Sequence, residues 1–125
     1  MADYIDLEYS MEKNQFGDIN IVQDSVAIQQ SIIDILLTII GERGEFEPLY
    51  GSKLKYFLME KITLLTAIQM KDEIRNVLQM WEPRINLYQI DVVPVSEENL
   101  YDITLNYINL RVSQMETLNF VLEKV

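Results

Sequence analysis

Six carboxylates in the middle of the chain have side chains that can perform acid–base chemistry. They are Glu42, Glu45, Glu47, Glu60, Asp72 and Glu82. A glycosidase needs two such groups about 5–9.5 Å apart, one kept protonated by an apolar pocket and one ionised. Three of the six lie in a segment that contains glycine and proline, where water is expected to surround them. The sequence therefore disfavours a hydrolytic pair, although a carboxylate-based hydrolase of the lysozyme type stays open as an alternative.

The composition excludes several other kinds of site. The 125 residues include no cysteine and no histidine, which removes thiol nucleophiles, Cys/His zinc sites, histidine bases and disulfides. The loop acids lack the spacing of an EF-hand, so we expect no metal ion and no cofactor. The net charge of −10 argues against binding to nucleic acid or to an anionic membrane. The start of the chain is acidic, unlike a signal peptide.

The segment Gly41-Glu42-Arg43-Gly44 has the glycine content of a phosphate-binding loop but not its pattern. It has no Walker lysine, and it follows a predicted helix instead of preceding one. A cation at Arg43 is favoured near the carboxyl end of that helix. We interpret the segment as a structural turn, and Glu42 and Arg43 are candidate contacts for a partner.

Glu82, Pro83 and Arg84 form a second candidate binding site. Proline ends a helix and fixes its own backbone angle, so the two flanking side chains stand at a rigid corner. The planar guanidinium of Arg84 suits a carboxylate or the carbonyl groups of a partner. Glu82 can accept backbone N–H groups or orient Arg84, and a solvated helix end is the simpler interpretation.

Three helices are predicted to position these residues. Asp24 and Ser25 give a start signal for the first, which is apolar on most sides, is therefore central and buried, and ends at Gly41. A loop over residues 41–51 follows, with Gly41, Pro48 and Gly51 as structural residues. Ser52 can cap a short second helix. Thr63 opens a third that keeps helical periodicity as far as Trp81, a predicted core anchor, and ends at Pro83.

The remaining pattern favours strands. Residues 85–95 are rich in β-branched and aromatic side chains, which favours a strand. Residues 96–99 are predicted to form a turn, and apolar and polar side chains alternate over residues 100–112. The apolar phase changes at Tyr107 and Ile108, which predicts either a bulge or a change of packing partner. We expect the second apolar set, Ile108, Leu110 and Val112, to form a partner-binding face. Further strands are predicted at 118–122 and at 16–22.

The predicted fold class is therefore α+β, with three helices packed on a small, mainly antiparallel sheet. We expect an acidic N-terminal arm over residues 1–15 and a single domain over residues 16–125. No predicted segment has the roughly 20 apolar residues that a membrane span requires.

An ordered set of short motifs resembles a known family. It runs from Gln30-Ser31-Ile32 through Gly41-Glu42-Arg43 and Glu47-Pro48-Leu49-Tyr50-Gly51-Ser52 to Trp81-Glu82-Pro83-Arg84-Ile85. This set is similar to the baseplate wedge family of contractile-tail phages, often filed as lysozyme-like, over residues 16–112. The family also includes the small wedge subunit of type VI secretion and contractile injection systems.

The resemblance implies a non-enzymatic structural role in the virion tail, assembled in the cytoplasm of a bacterial host. Such subunits pack against a bundle formed by two larger wedge subunits and contact the first ring of sheath protein, in a six-fold arrangement. By resemblance, Glu82, Pro83 and Arg84 lie at the wedge contact. An anti-adaptor regulator that binds one signalling protein is a further alternative, because a bacterial regulator of that kind resembles the same family.

Overall fold

The computed structural model describes residues 19–124 and has an α+β architecture. Three helices precede a three-stranded sheet, so the predicted fold class is confirmed. The elements are α1 (Ile19–Leu37), α2 (Leu54–Phe57), α3 (Leu64–Trp81), β1 (Ile85–Val95), β2 (Leu100–Asn109) and β3 (Gln114–Glu123). A short 3₁₀ turn, Ser96–Glu98, joins the first two strands. None of the helices described is long and apolar enough to cross a membrane.

The first helix begins earlier than predicted. Residues 19–22 are helical, so the strand predicted at 16–22 is wrong there, and residues 1–18, including the proposed arm, lie outside the described residues. Asp24 and Ser25 do not cap the helix, because they lie within it, and their side chains contact the region of the β2–β3 turn. Asp24 lies 3.8 Å from Arg111, and the Ser25 hydroxyl donates to Glu116.

The same helix also ends earlier, at Leu37 and not at Gly41. An isolated parallel β-bridge between Ile39 and Ser52 follows the end of the helix. The Ser52 N–H donates to the Thr38 carbonyl at 2.8 Å, and the Ser52 hydroxyl donates to the Leu36 carbonyl at 2.7 Å. These bonds satisfy helix-end carbonyls that otherwise lack partners. As predicted, α1 is central, and its core-facing residues are fully buried: Ile28, Ile32, Ile35 and Leu36.

The predicted start signal holds for α3 but not for α2. The Thr63 hydroxyl accepts from the Thr66 N–H at 3.1 Å, which is the N-cap contact predicted for α3. Ser52 does not cap α2 as predicted, because the N-cap position is Lys53 and no side chain caps this helix. The Ser52 hydroxyl instead accepts from the Leu54 N–H at 3.2 Å. At its other end α3 stops at Trp81, two residues before Pro83.

The sheet is an antiparallel meander in the order β1-β2-β3. The inner face of β2 is fully buried in the core shared with the helices, through Tyr101, Ile103, Leu105 and Tyr107. The bulge predicted in β2 is wrong, because Asn109 is itself buried and keeps the alternation to the end of the strand. The irregularity lies in β1 instead, between Leu87 and Gln89. An apolar pattern alone cannot show that a buried position is filled by asparagine.

Candidate partner-binding surfaces

The corner between α3 and β1 is built around a buried carboxylate. Glu82 is only 2% exposed, and its two oxygens accept from Arg84 at 2.6 Å to Nε and 2.9 Å to Nη2. A paired fork of this kind is among the stronger hydrogen-bonded ion pairs. The Arg84 side chain keeps 33% of its surface exposed. Glu82 therefore orients Arg84, whose side chain stays partly accessible to a partner.

The pKa of Glu82 reflects two opposing effects. Burial of the carboxyl raises its pKa, but hydrogen bonds from Arg84 and from the Ser31 hydroxyl outweigh burial and leave the pKa below the ordinary 4.5. The same pair raises the pKa of Arg84. The carboxylate is thus ionised and paired at neutral pH. It is not the protonated acid that glycoside hydrolysis requires.

This pairing predicts how stability responds to acid. Because the folded pKa of Glu82 is depressed, its ionisation stabilises the fold above the unfolded pKa, and the contribution is lost as pH falls through the folded pKa. At pH 7 we expect Glu82→Gln to lower the free energy of unfolding by about 2 kcal/mol. Urea unfolding at steps from pH 7 to pH 3 should show the gap to wild type closing.

The control for that measurement is a second variant that also loses one negative charge. Glu97→Gln removes an exposed carboxylate from the turn after β1, so its gap to wild type should stay small throughout. A gap for Glu82→Gln that does not change with pH would contradict the assignment of an ionised Glu82.

The loop between α1 and α2 is held by Arg43. Its guanidinium donates to Glu47 at 2.6 Å and to Asp34 of α1 at 2.8 Å. It also lies over the Tyr50 ring, 3.8 Å from the centroid, a distance typical of a cation–π contact. Arg43, a predicted partner contact, thus has three partners within its own chain. Glu42 points into solvent.

Tyr50 connects this loop to the corner. Its hydroxyl donates to Asp34, and burial, followed by that hydrogen bond, raises its pKa to about 12. The Tyr50 ring packs edge-on against Trp81, with centroids 5.2 Å apart. Since Trp81 directly precedes Glu82, this ring contact links the Arg43 loop to the Glu82 corner. Asp34 and Tyr50 were not among the site residues predicted from the sequence, although the four-residue spacing of Arg43 and Glu47 is a signal for that pair.

The predicted apolar partner face is only partly continuous. Leu110 is 53% exposed in the turn between β2 and β3, and its N–H donates to the Arg84 carbonyl at 2.9 Å. This bond places Leu110 beside the corner. Ile108 is partly buried on the outer face of the sheet, where its register neighbours are Asn86 and Met115.

Two shallow grooves border α3 and β1, and neither is lined by a pair of carboxylates. One of about 200 Å³ lies between α3 and β1, and its single acidic lining residue is Asp91. The other, of about 70 Å³, is lined by residues of α3 and β1 without any acid. Glu42, Glu45 and Glu47 lie in the loop, away from both grooves.

Comparisons with known proteins place the chain in a family. The sequence model described as "Baseplate wedge protein gp25" matches residues 22–115. The protein of that name from Enterobacteria phage T4 is 30% identical over 95 residues, which cover 76% of this chain and 71% of the phage protein.

Solved structures share the fold. A putative tail lysozyme from Geobacter sulfurreducens is 25% identical, with a TM-score of 0.73 over 81% of this chain and 91% of that one. A chain of the type VI secretion baseplate complex is 21% identical, with a TM-score of 0.60 over 80% and 93%. A chain of the postcontracted baseplate of pyocin R2 is 26% identical, with a TM-score of 0.52 over 80% and 85%.

The family match spans residues 22–115, a range that holds both the Arg43 loop and the Glu82 corner, and the T4 relative agrees with it. The chain accordingly belongs to the baseplate wedge protein gp25 family.

Proposed function

We propose that this chain is a non-enzymatic structural subunit of a contractile-tail baseplate, located in the virion tail and assembled in the host cytoplasm. It works by binding the larger wedge subunits. The observation that carries the proposal is the corner at residues 82–84, where a buried carboxylate fixes an arginine whose outer surface stays exposed. Interfaces often place their binding energy in such pre-oriented arginines.

Three features support this assignment. The T4 relative is named as a baseplate wedge protein, and similar folds occur in the type VI and pyocin baseplates. Arg84 and the exposed Leu110 are adjacent, so a polar and an apolar contact are available at one place. Glu42 and Arg43 lie on the neighbouring loop, which joins the corner through Tyr50 and Trp81.

The contact with the first sheath ring is assigned to the sheet. β1 and β3 are the outer strands of the described sheet, and an outer strand offers backbone groups to an added strand. The outer face around Ile108, predicted from the sequence to bind a partner, would supply the apolar part of this contact. Six copies around the baseplate, an acidic arm over residues 1–15 and one wedge domain over residues 16–125 belong to the same proposal.

Co-purification with the larger wedge subunits tests the corner. We expect Arg84→Lys to fold, because lysine keeps the charge beside Glu82, but to bind at least tenfold more weakly, since lysine lacks the planar fork. Arg75→Lys is the matched control. Arg75 is exposed on α3, and its guanidinium makes only one loose ion pair, at 3.6 Å from the Asp72 carboxylate. Circular dichroism checks the fold of each variant.

Two results would contradict the proposal. A folded Arg84→Lys variant that binds like wild type would remove the corner from the joint. A wild-type chain that binds no wedge subunit but degrades peptidoglycan, with activity lost in Glu82→Gln, would favour the lysozyme-type alternative.

A further inference from the structure

Phe46 is the most exposed large apolar side chain among the described residues, at 95% exposure, and Leu49 of the same loop is 67% exposed. Single exposed apolar residues are common and need no explanation. Here the two lie three positions apart on one short loop, outside the corner at residues 82–84. The significance of the pair depends on whether the loop holds it in a defined position.

The loop is fixed at several points. Arg43 ties the segment before Phe46 to Asp34 of α1, and the same guanidinium bonds Glu47 directly after Phe46. Tyr50, which directly follows Leu49, is buried and donates a hydrogen bond to Asp34. The loop backbone is therefore ordered before any partner arrives, which lowers the entropy cost of binding through its side chains.

The charge around Phe46 indicates what can cover it. Glu42 and Glu45 are exposed in the same loop, whereas Arg43, the only basic residue of residues 41–51, is already paired with two carboxylates. An exposed apolar side chain on an acidic loop is complementary to an apolar pocket with a basic rim. The same acidic residues, Glu42 and Glu45, oppose docking on an anionic membrane.

We infer that Phe46 and Leu49 form an apolar anchor that inserts into a pocket rimmed by lysine or arginine on a larger wedge subunit. This contact rests on the proposed function, since it supplies the partner. It adds a second point of attachment beside the Arg84 corner. Two rigid contacts, one on the loop and one at the corner, fix the orientation of the subunit, which a single contact cannot do.

The test measures affinity for the purified larger wedge subunits. We expect Phe46→Ala to weaken binding at least tenfold without a change in thermal midpoint, because the exposed ring contributes little to the fold. Glu42→Lys combined with Glu45→Lys should weaken it similarly through repulsion from the basic rim. Tyr56→Ala is the matched control, since Tyr56 is an exposed aromatic on α2, 51% accessible.

A photo-crosslinking residue in place of Phe46 locates the contact. The expected product joins position 46 to a wedge-subunit peptide that contains apolar and basic residues. Crosslinking to a second copy of this chain, or to sheath protein alone, would overturn the inference, as would Phe46-dependent binding to phosphatidylglycerol vesicles. If Arg84→Lys weakens binding and Phe46→Ala does not, the anchor is wrong and the proposed function stands. If wild type binds no wedge subunit, both fail.

Discussion

Replacing Gly51 by alanine is expected to lower the free energy of unfolding by about 3–5 kcal/mol and the thermal midpoint by about 15 °C. Gly51 has φ +113°, which side-chain-bearing residues rarely adopt. An added Cβ would overlap the Thr38 carbonyl oxygen and approach the Thr38 carbonyl carbon to 3.0 Å. These are backbone atoms at the end of α1, so no rotamer change relieves the contact.

Gly44→Ala is the matched control for this experiment. Gly44 also has a positive φ, +68°, but open space surrounds the position of its Cβ. We expect a cost of about 1 kcal/mol from backbone conformation alone. Thermal unfolding followed by circular dichroism separates the two effects. Equal costs for the two variants would show that the approach to Thr38 is unimportant.

Arg84→Ala is expected to have the second largest effect, a loss of about 3 kcal/mol in the free energy of unfolding at pH 7. The substitution leaves the carboxylate of Glu82, whose side chain is 1% exposed, without its cation. Removing one partner of a buried pair typically costs about 3–5 kcal/mol, and we take the lower limit because Arg84 is partly exposed. Urea unfolding measures the difference.

The double variant Glu82→Gln with Arg84→Ala tests the cause of this loss. Once the carboxylate is neutral, removal of the arginine should cost about 1 kcal/mol, so the two substitutions should not be additive. Additive effects would mean that the pair contributes little. Arg84→Ala also alters stability, which is why Arg84→Lys is the better variant for binding experiments.

The features that the sequence predicts well are local. The Thr63 cap, the stop before Pro83 and the alternation of β2 depend on residues a few positions apart, so each can be recognised in a short window. The start of α1 could not be predicted in this way. Asp24 and Ser25 look like a cap, but their partners are Arg111 and Glu116, about ninety positions later.

The candidate site shows the same limit. Pro83 predicts a rigid corner. Nothing in the local pattern, however, shows that Glu82 is buried and accepts two hydrogen bonds from the Arg84 guanidinium. The link from Asp34 to Arg43 and Tyr50 joins a helix to a loop and has no short-range signature. Phe46 could be read only as one apolar residue in a polar loop until the structure showed its exposure.

The position of Trp81 has an optical consequence. It is the single tryptophan of the chain, beside seven tyrosines, and its ring packs against Tyr50 at 5.2 Å. Its Nε1 is buried without a hydrogen-bond partner among residues 19–124. The chain therefore contains a natural fluorophore between the Arg43 loop and the Glu82 corner. Intrinsic tryptophan emission therefore reports on both without an added label.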